Sequence, residues 1–225
     1  MTGHPLDRPI WAALTTKQAC LSSGGPEAKR YPADISPFAA TPYDDPETLA
    51  RLAALIPSGA AFVTVAKAAA VPPGTTVEKA APLIQMHAVD LAAAEQSDEV
   101  IALGEKDAPE MLELATLTRP GPFLANTHKL GRFIGLRKGG RLAAMAGERL
   151  HVDGYREVSA VCTHPDFRGR GYAGLLSRIV ANRIKSEGET PFLHAYADNT
   201  PAIRLYESLG FRIERELVVQ MLRRD

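Results

Sequence analysis

The sequence contains little cysteine: Cys20 and Cys162 are its two cysteines among 225 residues. This number excludes a disulfide scaffold and a zinc site built from cysteines. No apolar run approaches the roughly 18 residues of a membrane-spanning helix, and the opening residues MTGHPLDRP contain no apolar stretch typical of a secretion signal. We therefore expect a cytoplasmic protein that is held together by an ordinary hydrophobic core.

An excess of charge of either sign is also missing. Lysine and arginine together number 26, aspartate and glutamate together number 26, and the formal net charge is zero. Proteins that use most of their surface to bind nucleic acid or a membrane need a net positive charge, so neither partner is predicted. His87, His128, His151 and His194 show no metal-ligand spacing, so no metal is expected.

Proline and glycine divide the chain unevenly. Eleven of the 17 prolines precede residue 90, whereas 13 of the 18 glycines follow it. This shift predicts an N-terminal α/β module over residues 1–90 and a second domain over residues 91–225, which meet near a helical stretch at Val89–Ala94. In the first module, Asp45 followed by Pro46 predicts the start of a helix. Short strands are predicted at Ile10–Thr15, Ala60–Ala66 and Leu83–His87.

The second module gives clearer signals. Gly139-Gly140 and Asp153-Gly154 each lie between apolar strands and predict hairpins. The whole order is β-α-β-β-β-α-β-α-β, which predicts an α/β (α+β) fold with a mixed, largely antiparallel sheet flanked by helices. The predicted elements are Val100–Leu103, Ala108–Leu117, Arg132–Lys138, Arg141–Leu150, Tyr155–Thr163, a helix from Tyr172 to Ile184, Phe192–Ala197, a helix capped by Thr200, and Arg215–Leu222.

The segment from Thr163 to Leu176 reads as a strand end, a glycine-rich turn and a helix start. The first backbone N–H groups of a helix have no internal partner and form an anion site. Gly169 and Gly171 allow the backbone to approach a ligand closely, and Arg168 and Arg170 add guanidinium donors suited to phosphate. The segment predicts a phosphate-ester ligand, with a pyrophosphate favoured.

Three phosphate motifs compete for this segment. A Walker loop needs Gly-Lys-Ser/Thr, which is absent. The dinucleotide pattern is met formally by Gly169, Gly171 and Gly174, but it requires a parallel βαβ unit that the two hairpins exclude. The pattern R/Q-x-x-G-x-G/A is met by Arg168, Gly171 and Ala173.

Three sequence blocks occur in a characteristic order. They are Glu157–Val161, Arg168–Ala173 and Asn199–Phe211. Together they make residues from about 100 to 222 resemble the GNAT superfamily of CoA-dependent N-acetyltransferases, and the last block is similar to that of glycine N-acyltransferase-like two-part members. The first 90 or so residues lie outside the blocks. We expect them to shape the acceptor pocket, to form a subunit contact in a homodimer, or to be a degenerate half of the same fold.

The resemblance implies acetyl-CoA, or another acyl-CoA, as co-substrate and a small-molecule or peptide amine as acceptor. It also implies that backbone groups of the fourth strand of the fold pair with the pantetheine arm, and that one N–H near Val161 or Cys162 polarises the thioester carbonyl. The implied cofactor-binding residues are Val161, Cys162 and Thr163 for the pantetheine, and Arg168, Gly169, Arg170, Gly171, Tyr172 and Ala173 for the pyrophosphate.

Two catalytic roles follow from the same resemblance. Tyr206 would protonate the leaving thiolate, its alternative being core packing. Glu157 would deprotonate the amine, because strand alternation places it on one face with Val161 and Thr163 and places Cys162 on the other with Val158. The alternative is an exposed carboxylate, with water taking the proton.

Three further side chains, Asn199, Cys162 and His164, are interpreted one by one. Asn199 would either bond the CoA arm or cap a helix. Cys162 is interpreted as a small core residue rather than a nucleophile, and His164 as a strand end.

The sequence therefore predicts a GNAT-type N-acetyltransferase that moves an acetyl group from acetyl-CoA to an amine by direct attack. The alternative is a non-catalytic acyl-CoA sensor, which would need the phosphate turn but neither acid nor base. Tyr206 favours the enzyme.

Overall fold

The structure is a computed structural model that describes residues 3–94 and 97–225. Its helices are α1 (Pro9–Thr15), α2 (Pro46–Leu55), α3 (Ala108–Thr118), α4 (Tyr172–Ser186) and α5 (Thr200–Ser208). Its strands are β1 (Ser23–Gly24), β2 (Lys29–Arg30), β3 (Ala39–Ala40), β4 (Ala61–Ala66), β5 (Thr75–Ala88), β6 (Val100–Leu103), β7 (Phe133–Lys138), β8 (Arg141–Val152), β9 (Tyr155–Thr163), β10 (Thr190–Tyr196) and β11 (Phe211–Arg224).

The main sheet has the strand order β4-β11-β5-β10-β9-β8-β7-β6. Strands β9 and β10 run parallel with α4 between them, and the other neighbouring pairs are antiparallel. The expectation that the two hairpins exclude a parallel βαβ unit here is therefore wrong, because a hairpin before β9 does not determine how the other edge of β9 pairs. The predicted fold class is therefore confirmed. From β6 onward, the observed elements follow the predicted order β-α-β-β-β-α-β-α-β. Both glycines of the first hairpin, Gly139 and Gly140, have positive φ, as a tight turn of the primed type requires.

Strand β5 joins the two halves of the chain. It lies between β10 and β11, and Leu83 pairs with Tyr196 on one side and with Leu217 on the other. The segments before and after residue 90 thus share one sheet, and the division into two domains stays a prediction.

The connection after β5 differs from the expected helical stretch. Val89 and Asp90 both donate backbone hydrogen bonds to the carbonyl of Gly210, and residues 89–94 form a bend followed by chain without regular secondary structure.

The first predicted strand, Ile10–Thr15, is wrong. This segment is helix α1, with Pro9 at its first position and with Ile10, Trp11, Ala13 and Leu14 buried. A short apolar run suits a buried strand and a buried helix equally well. The helix predicted after Asp45 is confirmed, because the Asp45 carboxylate accepts hydrogen bonds from the N–H groups of Glu47 and Thr48 at 3.1 and 3.0 Å.

Alternate residues of β5 show what covers each face of the sheet. Ile84 and Met86 belong to the cluster that packs under α4, with Leu176 and Val180. Leu83 belongs to the cluster that contains Leu14 of α1. Because successive strand residues point to opposite faces, α4 and α1 cover opposite faces of the sheet.

Candidate active site

Strands β9 and β10 separate partway along the sheet. They pair only from Tyr155 to Glu157 against Thr190 to Phe192, after which β10 continues beside β5 as far as Tyr196. Beyond Glu157, β9 therefore keeps its ladder with β8 and leaves its other edge open. An open edge presents backbone donors and acceptors that an extended ligand can pair with.

A β-bulge interrupts β9 at the same place. Ser159 pairs with Gly147 and Cys162 with Met145, so β9 carries one more residue than β8 between the two pairs. Ala160 has φ of 52°, a left-handed conformation that is rare for alanine. Because the extra residue shifts the alternation, Val158 and Val161 both pack in the α4 cluster, and Cys162 packs in the α3 cluster with Met145.

The predicted faces of β9 are therefore wrong beyond the bulge. Glu157 does not share a face with Val161, and Cys162 does not share one with Val158. Simple alternation assumes an unbroken pleat, which the conformation of Ala160 breaks.

A cavity of about 1150 Å³ opens where the two strands separate. Its lining includes Leu205 and Tyr206 from the α4 side, and Phe38 and Leu150 from the α1 side, so it reaches both faces of the sheet. Eleven of the twelve predicted site residues line it. They are Val161, Cys162, Thr163, Arg168, Gly169, Arg170, Gly171, Tyr172, Ala173, Asn199 and Tyr206.

The glycine-rich turn opens helix α4 into this cavity. Gly171 is the N-terminal cap residue, with φ of 76°, and it has no side chain that could cap the helix. Gly169 has φ of 74°. A Cβ at either position would contact nothing, so these glycines are needed for backbone conformation rather than for space. Arg168 and Arg170 line the cavity beside the helix start. The arrangement can hold a diphosphate on amides, on guanidinium groups and at the positive helix end.

Tyr206 reaches the cavity from α5. Its ring packs edge-on against Phe211, with 6.1 Å between the ring centroids. Burial, with a smaller contribution from Cys162, raises the pKa of the Tyr206 phenol to about 12. The hydroxyl is therefore protonated at neutral pH, the form that a proton donor requires.

Asn199 is the N-terminal cap of α5. Its Oδ1 accepts a hydrogen bond from the backbone N–H of Ala202 at 3.3 Å, so the cap lies one residue before the predicted Thr200. The side chain also lines the cavity, and its contact with CoA stays a prediction.

Glu157 lies away from the cavity surface. Its side chain is 0% exposed and forms a two-point ion pair with Arg149, at 2.6 and 2.9 Å. The N–H of Leu150 donates to it at 3.2 Å, and His194 Nδ1 lies 2.7 Å from its Oε1. Burial alone would raise the pKa of Glu157, but Arg149 and then His194 outweigh it and lower the pKa to about 2. The expectation that Glu157 faces the acceptor as a base is therefore corrected, because the carboxylate is enclosed and weakly basic.

The sequence analysis missed His194 and Arg149, both of which line the cavity. The Nε2 atom of His194 lies 3.0 Å from the side-chain nitrogen of Gln85, so both ring nitrogens of His194 are occupied. A polar residue such as His194 in the otherwise apolar strand after Phe192 is a sequence signal that could have indicated a functional side chain. Its partners, however, come from β5 and β9 and are remote in sequence.

Two minor interpretations are confirmed. Cys162 is 6% exposed and packs in the α3 cluster, and burial raises the pKa of its thiol to about 11. The ring of His164 accepts a hydrogen bond from the N–H of Asp166 at 3.2 Å, where β9 ends.

The described residues include no helix that is both long and apolar enough to cross a membrane. Over residues 3–94 and 97–225, no group of three or more histidine, cysteine, aspartate or glutamate side chains is placed to hold a metal ion.

Comparison with known proteins identifies the family. The family model described as FR47-like protein matches residues 133–219. A solved GNAT-family structure from Novosphingobium aromaticivorans is 44% identical to this chain, covers 99% of it and 100% of that chain, and superposes with a TM-score of 0.93. The chain belongs to the GNAT family of acetyltransferases.

More distant relatives agree in fold or over part of the sequence. A GCN5-related N-acetyltransferase from Kribbella flavida has the same fold, with a TM-score of 0.61 at 20% identity and 95% of each chain covered. Mycothiol acetyltransferases are 34% identical over 91 residues in Nocardiopsis dassonvillei and 37% identical over 83 residues in Thermomonospora curvata. Each match covers 36% of this chain and 27% of the relative, so the chain spans about a quarter of the length of these curated relatives.

Proposed function

We propose that this protein transfers an acetyl group from acetyl-CoA directly to a primary amine, without an acyl-enzyme intermediate. One observation carries the proposal: a single cavity joins the glycine-rich turn at Arg168–Ala173, the open edge of β9 at Val161–Thr163, and Tyr206. These are the parts needed to bind the diphosphate, to align the thioester and to protonate the leaving thiolate.

The first step is donor binding. The amides at the start of α4, together with Arg168 and Arg170, would hold the diphosphate. The backbone of Val161, Cys162 and Thr163 would pair with the pantetheine arm, because β10 leaves that edge of β9 open.

The second step is attack on the thioester. A backbone N–H near Val161 or Cys162 would stabilise the negative charge that develops on the carbonyl oxygen, an effect of about 3 kcal/mol for one well-placed donor. As the carbon–sulfur bond breaks, the Tyr206 hydroxyl would give its proton to the thiolate. The phenol, with a pKa of about 12, is a weaker acid than a thiol of pKa about 8.5. This transfer would therefore occur together with bond cleavage.

The acceptor amine must lose a proton before or during its attack. Glu157 is enclosed, and both ring nitrogens of His194 are already hydrogen-bonded. Neither offers a free basic atom to the cavity, so we assign the proton to water and give Glu157 and His194 a positioning role. The value of kcat/KM should then rise with pH in parallel with the free amine fraction of the acceptor.

The identity of the acceptor is not carried over from the mycothiol acetyltransferases, because each alignment covers only 36% of this chain. The two-part, glycine N-acyltransferase-like subtype and a homodimer formed through the first module also stay predictions.

A thiol-release assay with acetyl-CoA and a panel of amines tests the proposed function. Tyr206→Phe should lower kcat by about 100-fold or more, the low end for a lost general acid. Tyr43→Phe is the matched control, because Tyr43 is 58% exposed and lies outside the cavity lining. Tight acetyl-CoA binding without turnover of any amine would favour the sensor instead.

A further inference from the structure

The charge of the cavity lining is one-sided. Among the described residues that line the cavity, none is aspartate or glutamate, whereas five are lysine or arginine. Arg168 and Arg170 belong to the glycine-rich turn, which leaves Lys79, Arg119 and Arg149 for the rest of the cavity. A lining of this kind favours an acceptor that carries negative charge.

Two of these three cations are available to a ligand. Arg149 is neutralised by Glu157, at 2.6 Å. Over the described parts of the chain, Lys79 and Arg119 are exposed and have no carboxylate within ion-pair distance. The ammonium of Lys79 lies 5.0 Å from the centre of the Tyr196 ring, which also lines the cavity.

Arg119 occupies a backbone position that suits glycine. It follows the last turn of α3 with φ of 52° and ψ of 55°, and its N–H donates to the carbonyl of Ala115 at 2.7 Å. A left-handed residue with a Cβ costs roughly 1–2 kcal/mol, and glycine is the usual residue at such helix ends. Strain of this kind is commonly kept where the side chain has a function. Here the residue in the strained position, Arg119, is one of those that line the cavity.

The same cavity also has an apolar wall. Phe38, Val63 and Phe123 line the cavity and belong to clusters on the side opposite α4, and each is less than 10% exposed. An apolar wall contributes binding energy in proportion to the apolar ligand surface that it buries. A polar or highly charged acceptor body would lose hydration there without gaining partners.

We propose that the acceptor is an apolar α-amino acid, whose carboxylate is held by Arg119 and Lys79 and whose side chain lies on the apolar wall. This inference rests on the proposed function. The attacking amine must be uncharged when it reacts, so a lining without carboxylates suits it. A polyamine or a lysine-rich peptide would instead bring several positive charges to a positive lining.

Initial rates of CoA release from acetyl-CoA test this inference with a matched set of acceptors. The set is phenylalanine, its uncharged amide, phenethylamine, spermidine and a lysine-rich peptide. With kcat/KM expressed per free amine of each acceptor, we expect the value for phenylalanine to exceed that for phenethylamine and for the amide by about tenfold, the value of one charge-assisted contact at a partly exposed site. Spermidine and the peptide should react more slowly still.

Variants of the protein then test whether Arg119 causes the preference for phenylalanine over phenethylamine. Arg119→Gly keeps the helix end but removes the charge, and it should lower kcat/KM for phenylalanine about tenfold without changing that for phenethylamine. Arg119→Lys should restore part of the loss. Lys106→Gln is the control, because Lys106 is exposed and lies outside the cavity lining.

The outcomes separate this inference from the proposed function. Faster acetylation of spermidine, of the peptide or of phenethylamine than of phenylalanine would overturn the inference and leave the acetyltransferase intact. An equal loss for phenylalanine and phenethylamine in Arg119→Gly would also overturn it, because Arg119 would then not be recognising the carboxylate of the acceptor. No CoA release with any amine would remove the proposed function, and this inference with it.

Discussion

Removal of the Glu157 carboxylate should destabilise the protein strongly. Glu157→Gln keeps the shape of the side chain but leaves the largely buried Arg149 guanidinium without its counter-charge. Breaking one partner of a buried ion pair typically costs about 3–5 kcal/mol. In a domain of this size each kcal/mol changes the melting temperature by about 2–4 °C, so a decrease of roughly 6–20 °C is expected.

The pKa of Glu157 gives a second estimate of the same quantity. Burial opposes ionisation, but Arg149 and His194 lower the pKa from its ordinary 4.5 to about 2. That fall corresponds to about 3 kcal/mol of stabilisation. Because the pKa is lower in the folded state, the stabilisation is present in full above pH 4.5 and is lost as the pH falls toward 2.

Urea unfolding followed by circular dichroism measures this effect. The free energy of unfolding of Glu157→Gln should lie about 3 kcal/mol below wild type at pH 7, and the gap should close progressively below pH 4.5. Glu113→Gln, an exposed carboxylate on α3, is the control and should unfold like wild type. A loss of less than about 1 kcal/mol at pH 7, or a gap that does not change with pH, would refute the reasoning about the buried pair.

Other predictions concern single side chains. Because the pKa of Tyr206 is raised to about 12, ionisation of the phenol should not lower kcat below pH 10, and a decline in kcat with rising pH centred near pH 8 would argue against this donor. Cys162→Ala should retain turnover, and mass spectrometry during turnover should detect no acetylated enzyme, because the thiol is buried and its pKa is about 11. Gly147→Ala should lower stability by about 1–3 kcal/mol, because its Cβ would lie 2.3 Å from the Phe133 ring; unchanged urea unfolding would contradict that packing.

The second half of the fold was predictable because its signals are local. The hairpin glycines at 139 and 140 and the apolar spacing from Tyr172 to Ile184 each determine one element without reference to the rest. The first half was not. Helix α1 is a short apolar run whose conformation is decided by its burial against β8 and β4. The place of β5 between β10 and β11 depends on partners more than 100 residues away.

The candidate site divides in the same way. The phosphate turn is contiguous in sequence, so its residues were identified together and they line one cavity. The prediction that Glu157 shares a face with Val161 failed because Ala160 takes a left-handed conformation, which an alanine in the sequence does not predict. The one-sided charge of the cavity needs Lys79, Arg119 and Arg149, which come from three distant segments and meet only in the fold.

The affinity for CoA of two glycine variants tests the central claim, that the start of α4 binds the diphosphate. Gly171 and Gly188 lie at opposite ends of α4, have φ of 76° and 82°, and would each carry a Cβ without a contact. Alanine at either position therefore introduces the same backbone strain, roughly 1–2 kcal/mol. Titration calorimetry should show Gly171→Ala binding CoA about tenfold more weakly than wild type and Gly188→Ala binding it like wild type. Equal affinities for the two variants would contradict the claim.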